Sequence, residues 1–263
     1  MKKNNFLIAN PGKFHHFELA RELFKTNQLN KIIMAASVLI VGDSGSGKST
    51  GIKDLNPSET YIFNTANKPL PFKGWKAKYS KENKNLASLS DMLDERGERV
   101  DFAKMRAFLD AVNGKEKIKT LIIDDFQYIF AYEYFARANE KGYDKFTQLA
   151  KAMSDIATYP IKMRDDLMVI FLTHSEEFYD SDGAKRIKAK TIGKMIDNVL
   201  TLEGLFSVVL FSKVSKTKDG IEYLFETRNS GDNTCKAPMG MFDEPQITND
   251  LEAVRQAIIE YEL

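Results

Sequence analysis

Residues 38–50 read VLIVGDSGSGKST, from Val38 to Thr50, and fit the spacing GxxxxGK[ST] at Gly42, Gly47, Lys48 and Ser49. The apolar run Val38, Leu39, Ile40 and Val41 ahead of the glycines predicts a buried parallel strand. A strand entering a glycine-rich turn and then a helix brings successive backbone N–H groups, here those of Asp43, Ser44, Gly45, Ser46, Gly47, Lys48, Ser49 and Thr50, around a phosphate. Glycine supplies the positive φ and the close approach. In that arrangement Lys48 reaches the β- and γ-phosphates, and the Ser49 hydroxyl holds Mg²⁺, which prefers octahedral oxygen ligands. The alternative is a flexible Gly/Ser turn that matches by accident. With glycine near 7% of residues, such a match has odds of roughly one in a hundred in a chain of this length. The stretch therefore reads as a site for ATP with magnesium.

Two later segments supply what such a site needs. Thr120–Asp125, TLIIDD, is an apolar strand ending in two carboxylates. An acid at that place holds the metal opposite the P-loop hydroxyl. Asp124 takes that role, and Asp125 is left as a base or water-positioning group. Leu167–Leu172 is a further apolar strand, ending in Thr173 and His174. Ligands bind at the carboxyl ends of parallel strands, so either side chain can sense the γ-phosphate or orient water. For His174 a core-edge histidine satisfied by backbone is the competing reading.

The rest of the chain frames this site. With 263 residues, 43% hydrophobic and 29% charged, the chain can bury a sizeable core as one larger α/β domain. A net charge of +1 argues against coating nucleic acid by bulk charge. One cysteine, Cys235, and three histidines supply neither an internal disulfide nor a structural zinc site. No membrane span or signal peptide is legible, so a soluble, cytoplasmic protein is expected. Lys13–Asn27 reads as an amphipathic helix within an N-terminal extension, 1–34. A core follows over 35–245, and a closing helix over Asn249–Glu262 belongs to 246–263, with Asn249 and Glu252 resembling a capping box. A second strand is expected at Thr60–Phe63, helices at Asp101–Val112 and over Phe126–Tyr159 with a break at Gly142, and a hairpin from Phe206–Lys216 and Ile221–Arg228.

Two segments suggest single-stranded DNA. In the loop Asn64–Lys81, Phe72, Trp75 and Tyr79 interleave with Lys73, Lys76, Lys78 and Lys81, so bases could stack while lysines neutralise phosphates. Ser175–Lys194, with Lys185, Arg186 and Lys188, reads as a mobile loop that contacts DNA backbone or a neighbour's nucleotide. Ordinary solvated loops are the alternative for both.

Strand by strand, the chain resembles the RecA-like P-loop ATPases encoded by bacteriophages, some of which act as single-strand annealing recombinases. The matching residues are GDSGSGKST at 42–50, LIIDDF at 121–126, FLTHSEE at 171–177, IGKMIDNVL at 192–200, and the terminal hairpin running into CKAP at 235–238. The resemblance covers roughly residues 35–245. It implies a RecA-like, mostly parallel sheet flanked by helices with a C-terminal antiparallel hairpin. It also implies an ATPase acting in DNA recombination or replication in the host cytoplasm, and a homo-oligomeric ring or filament. In such proteins a cation is borrowed across a head-to-tail interface from beyond the hairpin; Lys236 and Arg228 match in position. One departure stands out. The family's glutamate just past the second strand is missing, because Phe63, Asn64, Thr65, Ala66 and Asn67 hold no acid. Either Asp125 substitutes or turnover is slow. An AAA+ helicase loader or remodelling ATPase would need a helical lid and an arginine finger, a small-molecule kinase an arginine-rich lid, and a non-hydrolysing nucleotide-binding protein is the remaining class.

Overall fold

A computed structural model describes residues 35–193, 197, 200–218 and 220–261. The extension expected over 1–34, with its helix, lies outside these residues, as does most of 192–200. The apolar runs form the strands β1 (Ala36–Gly42), β2 (Thr60–Asn64), β4 (Thr120–Asp124), β5 (Met168–Tyr179) and β7 (Val208–Thr217). Short edge strands β3 (Leu86–Ser88) and β9 (Gln246–Thr248), and β6 (Lys185–Ala189) and β8 (Gly220–Glu226), complete the set. The sheet order is β3-β2-β4-β5-β1-β7-β8-β9, with β6 paired to β5. From β3 to β7 neighbouring strands run parallel, and β7-β8-β9 is antiparallel.

Both faces of the parallel part are covered, which is why its strands read as unbroken apolar runs instead of alternating ones. Leu39, Val41, Leu121, Ile123, Val169 and Phe171 belong to one apolar cluster. Helices α2 (Phe102–Asn113), α3 (Phe126–Ala136) and α4 (Asp144–Ala157) supply its other half through Met105, Leu109, Phe126, Phe130, Leu149 and Met153. Phe126 packs edge-on against Phe171 with ring centroids 5.0 Å apart. Val38, Ile40, Ile122, Ile170 and Leu172 belong to a second cluster, with Leu251, Val254 and Ile258 of α5 (Leu251–Glu260). A mostly parallel sheet flanked by helices and extended by an antiparallel hairpin is the architecture expected from the sequence.

The strand order decides where the chemistry can sit. β5 lies between β1 and β4, in register with both, so that Gly42 pairs with His174 and Ile123 with Phe171. The carboxyl ends of β1 and β4, carrying the P-loop and Asp124, and the level of His174 on β5 therefore form one rim.

Three expectations are corrected. In place of the mobile loop expected over Ser175–Lys194, residues 175–189 form a strand pair: β5 continues to Tyr179 and pairs antiparallel with β6, from Ser175 opposite Ala189 to Tyr179 opposite Lys185. The turn at Asp180–Gly183 was legible, but the polar strands flanking it were hidden because they bury no continuous face. The last helix is capped by Asp250, whose carboxylate accepts from Glu252 N–H at 2.8 Å and Ala253 N–H at 3.2 Å, so Asn249 is free for another task. The segment after the P-loop, Lys48–Asp54, is a seven-residue 3₁₀ turn, which supplies less dipole than an α-helix.

Candidate functional site

The P-loop is shaped by its glycines and braced from two sides. Gly45 and Gly47 have φ of 81° and 94°, the left-handed region that side chains disfavour. A Cβ on Gly42 would stand 2.6 Å from Ser46 Oγ and 3.0 Å from the Ser212 carbonyl. Ser212 on β7 donates its hydroxyl to the Ser46 carbonyl at 2.6 Å, and Asn249 donates its amide to the Gly47 carbonyl at 3.2 Å. Gly47 also abuts the Tyr223 ring, which an added Cβ would meet at 2.5 Å. Gly47→Ala is therefore expected to lower stability by about 1–3 kcal/mol through strain and ring displacement, read as a drop in melting temperature. An unchanged melting point would show that the loop relaxes freely.

Lys48 is buried, and its ammonium donates to the carbonyls of Gly42 at 2.7 Å and Asp43 at 2.8 Å. Burial lowers its pKa from the ordinary lysine value, against the opposing charges of Asp125, Asp124 and Asp43. Ser49 donates its hydroxyl to Asp124 Oδ1 at 2.9 Å. Two cis ligands at 2.0–2.1 Å in octahedral geometry lie about 2.9 Å apart, so this pair fits a magnesium site. Asp124 is almost fully buried, and burial, then the Asp125 charge, push its carboxyl up to about 6 despite the Ser49 hydrogen bond.

Asp125 adopts φ 56° and ψ 45°, a left-handed conformation at the start of α3, and makes no side-chain cap there. The strained backbone instead accompanies a carboxylate pointed at the pocket: His174 Nε2 lies 3.3 Å from Oδ1, and Lys68 Nζ lies 2.6 Å from Oδ2. Burial would raise the Asp125 carboxyl, but the His174 and Lys68 contacts outweigh it and hold it below the usual carboxylate range. Ser44, Gly45, Gly47, Lys48, Ser49, Thr50, Asp124, Asp125 and His174 line one pocket, with Lys68, Pro69, Pro71 and Tyr223 completing its wall.

Other sequence candidates lie elsewhere. Thr173 is fully buried and donates to Gln127 Oε1 at 2.8 Å, so it does not face a phosphate, whereas His174, level with Gly42, lines the pocket. Gln127 Oε1 also accepts from the His174 backbone N–H at 3.3 Å, fixing the histidine. Asp43 accepts from the Ser175 hydroxyl. Arg228 donates to the carbonyls of Phe242 and Asp243, both at 2.8 Å, a clamp within its own chain and not a free finger. Lys236 is exposed, its backbone bridged to Val209, and it does not line its own pocket.

The stacking platform is also corrected. Tyr79 is fully buried, and Phe72 and Trp75 pack partly buried on the same cluster, leaving Lys73 and Lys76 as exposed charges on a folded segment containing α1 (Trp75–Lys78). The basic ribbon neutralises itself. Lys185 pairs with Glu177 at 2.6 Å, Arg186 with Asp180 at 2.5 Å, and Lys188 with Glu176 at 3.1 Å and Asp197 at 2.9 Å.

Sequence reasoning missed Lys68, Tyr223, Gln127 and Asn249. For Lys68 the signal is its position, a cation just past the end of β2 on the ligand rim.

Residues 34–239 match a family model described as an AAA domain. Among solved structures, a KaiC-like protein from Pyrococcus horikoshii aligns at 14% identity and TM-score 0.42, covering 73% of this chain and 78% of that one. A flagellar accessory protein, FlaH, from Methanocaldococcus jannaschii aligns at 11% identity and TM-score 0.40, covering 82% and 84%. No curated protein matches the sequence.

Proposed function

The chain belongs to the AAA-domain family, and from that premise we propose that it binds ATP with Mg²⁺ and hydrolyses it at the β1–β4–β5 rim. The observation that carries the reading is the Ser49–Asp124 contact of 2.9 Å directly beside the buried Lys48 ammonium and the Asp125–His174 pair. Ser49 and Asp124 would hold the metal, which when bound neutralises charge on the phosphate oxygens. Lys48 orients the β- and γ-phosphates through charge-assisted hydrogen bonds. Asp125 is the group for accepting a water proton, with His174 and Gln127 fixing its surroundings.

The missing acid after β2 then has a substitute one strand away. A base held below the usual carboxylate range in the ligand-free site is a weak one, so slow basal turnover is part of the proposal. Asp125→Asn is expected to leave nucleotide affinity within a few-fold and to slow hydrolysis about 10²-fold, checked by steady-state kinetics. Unchanged turnover would move the base to His174.

Phage origin and action on single-stranded DNA, implied by the resemblance, are not part of the proposed chemistry. The lysines that suggested DNA in the ribbon are spent on carboxylates, and the aromatics before them on the core. A helical lid of the remodelling type is not seen among the described residues, where the C-terminal part is β7–β9 followed by α5. The deciding experiment is ATP hydrolysis by the parent and Lys48→Ala, with and without single-stranded DNA. Loss of hydrolysis in Lys48→Ala supports the site. Strong stimulation by DNA would restore the recombination reading, and equal turnover in parent and variant would remove the ATPase one.

A further inference from the structure

The segment after β2 brings to the pocket a charged group that the P-loop does not account for. Lys68 Nζ lies 2.6 Å from Asp125 Oδ2 and 5.9 Å from the centre of the Tyr128 ring. Its backbone is pinned on both sides. The buried Asn64 donates its amide to the Lys68 carbonyl at 2.6 Å and accepts from the Lys68 N–H at 3.2 Å. The side chain, by contrast, is 59% exposed, so its ammonium can turn without being stripped of water. A pinned backbone and an ion-paired but solvent-accessible ammonium suit a residue that exchanges one anion for another.

We propose that Lys68 is a second cation for the γ-phosphate, supplied in cis, which exchanges its contact with Asp125 for the phosphate when nucleotide binds. The proposal rests on the ATPase reading above. A triphosphate is a stronger competitor for an ammonium than one carboxylate is, since it offers more charge and more acceptors. In the step, the oxygen of water bonds to the γ-phosphorus while the bond from that phosphorus to the β–γ bridging oxygen breaks, its electron pair leaving with ADP. The water proton passes to Asp125 and then to solvent, so that ATP and water give ADP, inorganic phosphate and a proton. Lys68 neutralises charge on the transferring oxygens throughout. On this proposal Lys68 supplies within one chain the cation that the family resemblance would take from Lys236 of a neighbour.

The test measures kcat for ATP, and affinities for ADP and for a non-hydrolysable ATP analogue, in the parent, Lys68→Ala and Lys68→Arg. It adds an equal mixture of Lys68→Ala with Lys48→Ala. Lys68→Ala is expected to lose about 10²-fold in kcat, to bind ADP within a few-fold of the parent, and to lose about tenfold of the preference for the analogue over ADP. Lys68→Arg keeps most of that preference. The mixture stays inactive, because both lysines must serve the same pocket. Parental turnover together with parental preference in Lys68→Ala overturns the proposal, and activity in the mixture overturns the cis assignment. If the parent hydrolyses nothing, the ATPase reading falls on its own, and the analogue preference still decides: its loss in Lys68→Ala upholds the phosphate contact, its retention refutes it.

Discussion

Lys48→Met is expected to weaken ATP–Mg²⁺ binding about 10³-fold while moving the melting temperature of the ligand-free protein by only a few degrees. The binding loss follows from removing a charge that makes hydrogen bonds to anionic oxygens, each contributing about 1.5–3 kcal/mol. The stability argument has two opposing parts. Without the ammonium, the carbonyls of Gly42 and Asp43 lose their donor, which costs about 1–3 kcal/mol. Against this, burial holds the Lys48 pKa below its unfolded value. A depressed lysine pKa means that its charge opposes folding at every pH below the folded pKa, and that stability rises as pH climbs through it. The neutral near-isostere removes that opposition, so the parts offset. Isothermal titration with ATP–Mg²⁺ and a thermal melt decide it: parental affinity would refute the phosphate assignment, and a collapse in melting temperature would refute the electrostatic account.

Lys48 and the buried strands around it are the kind of feature a sequence displays. The P-loop needs particular residue types at fixed short spacing, and the buried strands β1, β4 and β5 need uninterrupted apolar runs, so both are written locally. The β5–β6 ribbon was illegible for the converse reason. Its strands are polar, and cross-strand ion pairs such as Lys185–Glu177 leave no hydrophobic period to read.

The site was legible wherever a motif stands at a strand end, and illegible wherever distant loops meet it. Lys68 reaches Asp125 only because β2 lies beside β4, a pairing that no local pattern announces. Asn249 looked like the start of a helix, yet its amide braces the P-loop carbonyl of Gly47, and the neighbouring Asp250 does the capping. Near Trp75, the interleaving of lysines and aromatics does not say that Tyr79 turns inward.

Asp124→Asn should move stability and function in opposite directions. In the ligand-free fold, burial and the Asp125 charge raise the Asp124 carboxyl from 3.8 to about 6, so the fold favours the protonated form. Stability from this group is complete below the unfolded value and falls as pH rises through the folded one, by a total on the order of 3 kcal/mol. Asn cannot ionise, so the variant avoids this loss, and above pH 7 its ligand-free melting temperature should exceed the parent's by several degrees. Below pH 4 the difference should vanish. Magnesium, in contrast, needs the carboxylate: the Asn amide oxygen is a neutral donor beside Ser49, and Mg²⁺-dependent nucleotide affinity should fall by about 10²- to 10³-fold. In the parent that affinity should itself weaken as pH drops below about 6, where a proton occupies the metal's ligand. Thermal melts from pH 4 to 8 without nucleotide, beside magnesium titrations in its presence, test both halves. A variant that melts lower than the parent at pH 8 would show that the Asp124 charge is stabilised by partners other than those around it here, and parental magnesium dependence would place the metal on other ligands.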